Sequence, residues 1–200
     1  MSATELHRRG RRLFYAHDGR EVPIERIFNR VVWEDQAAHE GAMRVSLQDD
    51  LEVEWAGHPN WFFRHSKLSL PFLRHSNVPN TVFLDELPRL PADLENYVLK
   101  PLFSFSGKGL RLDLDRATLD AIPVSERAQY ILQEKFHYAD VIEAPEGRVR
   151  CEVRLMYVWL ERLMCVTTLP RMSRGRVMGT AFNRSDPWTG HGIAFFPVPR

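Results

Sequence analysis

The alternation of apolar and polar positions is clearest in the second half of the chain, where it predicts strands. Cys151 to Leu160 is the strongest case: Cys151, Val153, Leu155, Tyr157 and Trp159 share one face, and Glu152, Arg154 and Met156 the other. Tyr97–Phe103 and Leu110–Leu114 flank a Ser/Gly segment and read as strand, glycine-containing turn, strand. Val78 to Leu84 reads as a turn into a short strand, and further strands are predicted at 130–136, 164–169, 176–183 and 193–196, with a short helix over 116–122. Apolar positions between Trp61 and Leu73 fit an amphipathic helix bent near Pro71. Ile24 to Trp33 fits a helix or a short buried strand equally well, and His17-Asp18-Gly19 is a turn. Strands outnumber helices, which predicts an antiparallel-rich α+β architecture.

The chain has 200 residues, 44% of them hydrophobic and 26% charged, enough for a real core and outside the compositions of disordered or coiled-coil chains. No stretch approaches the roughly 20 apolar residues that span a bilayer. The polar, basic start MSATELHRRGRRLF lacks the apolar run of a secretory signal, so the expected compartment is the cytoplasm. Cys151 and Cys165 are too few for a disulfide framework and are each expected to act as small buried hydrophobes.

Twenty-seven basic residues against 26 acidic ones give a net charge of +1, which argues against a dedicated polyanion binder. Charge is nevertheless uneven: from Gly147 onward there are nine Arg and three acidic residues, which fits either a solvated face or an anion site. Binding of nucleic acid through this tail ranks low, since basic and aromatic residues form no stacking platform, and neither nucleic acid nor membrane is an expected partner. Only four basic residues are lysines, Lys67, Lys100, Lys108 and Lys135. In a chain that uses Arg so freely, its few lysines are enriched for sites that want a compact, rotatable ammonium.

Lys100 lies within an apolar strand, where an unpaired buried ammonium is prohibitively costly and must find an anion or reach solvent. Beyond it, Ser104 to Gly109 offers small residues and backbone N–H groups that could close over phosphate oxygens, although an ordinary exposed hairpin fits the same residues. The segment is not a Walker loop. Gln133-Glu134-Lys135 ends a strand and suits either an adenine edge or a solvated edge strand. Glu152 and Arg154 project together, as a carboxylate for a hard cation beside a guanidinium for phosphoryl charge, or as a plain cross-strand ion-pair surface.

Taken in order, these segments resemble the ATP-grasp superfamily. Lys67 precedes Val78-Pro79-Asn80-Thr81; Val98-Leu99-Lys100-Pro101, Ser104 to Gly109, Gln133-Glu134-Lys135, Glu152-Val153-Arg154, Arg171 and Asn183 follow. The resemblance covers about Trp61 to Gly192, and Ile24 to Val32 looks like the pre-ATP-grasp region of bacterial members. It implies residues 1–60 as a remnant of that region and 61–200 as an ATP-grasp domain, its lobes at about 61–130 and 131–200. Both would be small α+β lobes with antiparallel-rich sheets gripping a nucleotide.

The implied activity is an ATP- and Mg²⁺-dependent ligase joining a carboxylate to an amine or thiol through an acyl phosphate. Lys67 and Lys100 would contact the nucleotide, Ser104, Ser106, Gly107 and Lys108 would form a flap over the phosphates, and Gln133, Glu134 and Lys135 would lie along the adenine. Glu152 and Asn183 would hold the metal, while Arg154 and Arg171 support the phosphoryl group. Many members carry a Glu two places before the Asn; Ala181 stands there instead, which leaves Asp186 or Glu152 to take that load. The alternative is a shortened or non-catalytic module that keeps the grasp without turnover, with a second subunit one way to complete the short N-terminal region.

Overall fold

The computed structural model describes residues 3–30, 45–46, 49–105, 107–178, 186 and 189–195. The chain forms a mixed α+β structure with mostly antiparallel sheets, divided into two compact units, Met1–Lys135 and Phe136–Arg200. No helix among the described residues is long and apolar enough to cross a membrane.

The first unit begins with a three-stranded antiparallel sheet of β1 (His7–Arg9), β2 (Arg12–His17) and β3 (Arg20–Ile24) in sequence order. Asp18 and Gly19 form the turn foreseen between β2 and β3, and both have positive φ, 49° and 71°. This is the backbone that matches the twist of a two-residue hairpin. Ile24 closes β3, and the residues after it form β4 (Arg26–Phe28), paired parallel with β5 (Glu54–Ala56). Between Ile24 and Phe28, the open choice of helix or strand therefore resolves to strand. Leu6, Leu13, Ile24, Val45 and Leu51 form the core under this sheet.

Pro59 to Phe72 is helical but broken. A 3-10 helix (Pro59–Trp61) runs into a single α-turn (Phe62–His65), and a second 3-10 helix follows (Lys67–Phe72). The break falls at Ser66 and not at Pro71. Ser66 adopts extended ψ of 176°, and its hydroxyl accepts from the Leu68 N–H at 3.3 Å, capping a new helix at Lys67.

β6 (Thr81–Phe83), β7 (Tyr97–Pro101) and β8 (Tyr130–Glu134) form an antiparallel sheet with β8 in the centre. Leu99, Ile131 and Leu132 are fully buried in it. Side chains alternate across the sheet. Val82, Leu84, Tyr97, Leu99, Tyr130 and Leu132 share the face that packs with Leu94, Leu114, Leu119 and Ile122 into the second core. The 116–122 helix is present as Arg116–Asp120, capped by Asp115 through the Thr118 N–H at 2.7 Å.

The strand expected at Leu110–Leu114 does not form. Only Arg111 pairs with Leu99, by reciprocal backbone bonds of 3.0 and 3.1 Å. The ladder cannot extend either way. Pro101 has no N–H to donate at the next hydrogen-bonded step, and the Tyr97 N–H is spent on the Leu94 carbonyl.

The second unit is dominated by two eleven-residue strands. β9 (Asp140–Ile142), β10 (Val149–Trp159), β11 (Leu163–Ser173) and β12 (Gly190–His191) lie in the order β12-β11-β10-β9, all antiparallel. Residues 176–178 and 193–195 lie outside any strand, and 179–183 fall outside the described residues. The expectation of buried cysteines is corrected: Cys151 is half-buried and Cys165, on the open ribbon, is exposed.

Candidate functional site

The register of the central sheet decides which side chains meet. Thr81 pairs with Gln133 across β6 and β8, and Lys100 pairs with Ile131 across β7 and β8. With a side-chain period of two, Thr81, Gln133, Ile131 and Lys100 lie on one face, opposite the leucine core, and Lys100 is a diagonal neighbour of Gln133 within reach of a long side chain. The 3-10 helix from Lys67 packs on β6 and β8 and brings Lys67 to the same region.

There Lys100 Nζ donates to Gln133 Oε1, and Gln133 Nε2 donates to Thr81 Oγ1 at 2.7 Å. The Thr81 hydroxyl in turn donates to the Pro79 carbonyl at 3.1 Å. Lys67 Nζ donates to both the carbonyl and the hydroxyl oxygen of Ser104, at 2.5 and 2.6 Å. Burial pushes Lys100 below its usual pKa, and the neighbouring charge of Lys67 lowers it further. Lys100 is half-buried and meets no anion among the described residues: it rests on a neutral carboxamide. An ammonium has three donors, and this bond uses one.

Beyond Ser104 the chain turns through Phe105 to Leu110. Lys108 N–H bonds the Phe105 carbonyl at 3.0 Å, and Gly107 and Gly109 hold φ of 80° and 72°. At Gly109 a Cβ would stand 2.8 Å from Pro101 Cγ, so the position combines left-handed backbone with a close approach. Ser106 lies outside the described residues. Aromatic rings line the same stretch, with Phe103 5.8 Å from Phe62 and 5.5 Å from Phe63 between centroids.

Gln133 is buried, with both ends of its carboxamide occupied, so it is a linker within the sheet and not a solvated edge. Glu134 and Lys135 belong to the other end of the β7–β8 ladder. Their backbone N–H groups go to the Asn80 and Asn96 carbonyls. Lys135 Nζ bonds the Glu95 carbonyl at 2.5 Å, and a Glu134 carboxylate oxygen accepts from Asn80 N–H at 3.3 Å. Of the four lysines, Lys67 and Lys100 converge, and Lys135 does not join them.

In the second unit, Glu152 pairs with Arg171 across β10 and β11. Its Oε1 accepts from Arg171 Nε at 2.7 Å, from Arg171 Nη2, and from Arg154 Nε at 3.0 Å. The Tyr138 hydroxyl stands 3.5 Å from Oε2, and its pKa is raised by burial and by the Glu152 charge. Asp186 accepts from Arg174 Nη1 at 2.5 Å, and Asn183 lies outside the described residues. No group of three or more His, Cys, Asp or Glu suited to a metal occurs among the described residues.

Two participants escaped the sequence reading. Thr81 belonged to a quoted motif but had no role, and its position two residues after Pro79, where a hydroxyl reaches back to the backbone, was the available signal. Tyr138 gave none. The chain matches no protein-family model and no curated protein.

Proposed function

We propose that the chain is a nucleotide-binding protein of ATP-grasp type, whose first unit holds phosphate oxygens with Lys67, Lys100 and the Ser104–Gly109 turn. One observation carries this reading: two half-buried ammonium groups sit in each other's field over one sheet face, and Lys100 is bonded to a neutral amide. Like charges drawn together and partly out of water raise each other's free energy, and a polyanion is the ligand that reverses the sign of that interaction. Lys100 retains donors for it, and Ser104, whose hydroxyl otherwise donates to the Pro101 carbonyl at 3.4 Å, lies beside Lys67 to turn that proton to a phosphate oxygen.

The fuller reading is an ATP- and Mg²⁺-dependent ligase that activates a carboxylate as an acyl phosphate for an amine or thiol. Glu152, proposed as a metal ligand, is a poor fit as it stands, because its Oε1 is bonded to two guanidinium groups and their charge opposes a second cation. That engagement favours the alternative, a nucleotide-binding module without turnover, in which Glu152 aligns Arg154 and Arg171.

Calorimetric titration with ATP, with and without Mg²⁺, tests the shared core. Saturable binding weakened about tenfold or more in Lys100→Ala, the loss of one or two charge-assisted hydrogen bonds, supports it. Absent binding by the folded protein, or unchanged affinity in that variant, rejects it. Release of ADP with a carboxylate and an amine, lost in Glu152→Gln, would select the ligase over the module.

A further inference from the structure

Lys67 and Lys100 are the groups expected to touch a phosphate, but the chain of bonds behind Lys100 runs deeper than that contact requires. Three side-chain hydrogen bonds lead away from it in one direction, from Lys100 to Gln133 to Thr81 to the Pro79 carbonyl. Their polarity is forced. A backbone carbonyl only accepts, so the Thr81 hydroxyl must spend its single proton on Pro79 and present a lone pair to Gln133. That lone pair selects the NH₂ end of the Gln133 carboxamide, which leaves the oxygen end for Lys100. An ammonium only donates, so the opposite amide orientation would set NH₂ against NH₃⁺ with nothing to accept either. Thr81 and Gln133 are 1% and 4% exposed, so water is poorly placed to replace either partner.

We propose that Thr81 and Gln133 are positioning residues that lock this carboxamide with its oxygen toward Lys100 and so aim the ammonium at the bound phosphate. Lys100 is the terminus of a relay anchored in the backbone at Pro79. The assignment rests on the nucleotide-binding reading for what the ammonium is aimed at, but the lock itself exists without ligand. Lys67, on the overlying helix, is the charged group whose field reaches Lys100; the same sheet face otherwise offers Thr81, Phe83, Val98, Ile131 and Gln133, none of them charged.

With only four lysines in the chain, the titration of the Lys100 side chain can be followed directly by NMR of ¹³C-lysine-labelled protein without nucleotide. Loss of the acceptor in Gln133→Met lowers the Lys100 midpoint. Thr81→Val, close in shape but without the hydroxyl, lowers it too by freeing the carboxamide to flip, and Thr81→Ser restores it. Gln133→Glu raises it by supplying a carboxylate. In parallel, ATP affinity falls about tenfold in Gln133→Met and Thr81→Val and is retained in Thr81→Ser. In Gln133→Glu the affinity also falls, although the charged form of Lys100 is favoured, because the new carboxylate competes with phosphate for the ammonium. A Lys100 midpoint that stays put in folded Gln133→Met and in Gln133→Glu overturns the lock. Midpoints that move as stated in a protein that binds no ATP leave the lock standing and reject the nucleotide reading alone.

Discussion

The sheet β6–β8–β7 and the ribbon β10–β11 invert the usual placement of residues. In the first, a lysine, a glutamine and a threonine occupy a face that is half or fully buried, while leucines fill the other. In the second, Val153, Leu155, Tyr157, Trp159 and Leu163 lie between 48% and 72% exposed on strands that would pass for core by composition. Buried polar groups survive where register gives each one a partner: Lys100, Gln133 and Thr81 are bonded in series, and Lys100 alone keeps donors to spare. Among the described residues little packs on the exposed stretch from Val153 to Leu163, and its regularity there comes mainly from the backbone ladder. Its one irregularity, between Met156 and Tyr157, lets β11 fit Val166 as an extra residue.

The largest contrast is expected from truncation. Leu132→Ala removes a fully buried side chain from the centre of the first sheet and should cost about 3 kcal/mol, whereas Leu155→Ala on the ribbon should cost well under about 1 kcal/mol. Denaturant unfolding of both variants measures this, and equal losses would mean that the ribbon is a core after all. Of intermediate size is Glu152→Gln. It leaves the mostly buried guanidinium of Arg171 without its anion and should destabilise the second unit by about 1–3 kcal/mol, read as a lower melting temperature that Arg171→Met in the same background does not lower further.

The smallest effect is in pH. Lys100 titrates below its usual 10.5 when folded, so the unfolded chain holds that proton more tightly. Its charged form opposes folding at neutral pH, and this contribution relaxes as pH rises through the folded pKa toward 10.5. Replacing Lys100 by Met should flatten that part of the stability profile. Phosphate binding, which favours the ammonium, should weaken over the same range.

Elements marked by alternation were the most legible. Tyr97–Pro101, Tyr130–Glu134 and the two ribbon strands stand where the pattern puts them, the last two longer than expected. What was lost depended on partners distant in sequence. Leu110–Leu114 has strand periodicity, but Pro101 opposite it removes the donor that would extend the ladder. Apolar spacing from Trp61 to Leu73 reads as one helix, yet the serine between its turns prefers to cap. Glu152 could be matched with Arg154 two residues away, but its closer partner Arg171 follows only from strand register. Gln133 looked like an edge residue because nothing in one sequence reveals that β8 runs between two other strands.

The single bridge between Leu99 and Arg111 has a consequence for the segment it encloses. Residues 100–110 form a ring of main chain fastened at one clasp, and the entropy of closing such a ring, which grows only slowly with its size, is lost during folding and not at binding. A protease cut within 105–108 would leave both new ends tethered near the clasp, with Lys100 and Ser104 still on the same side of the break.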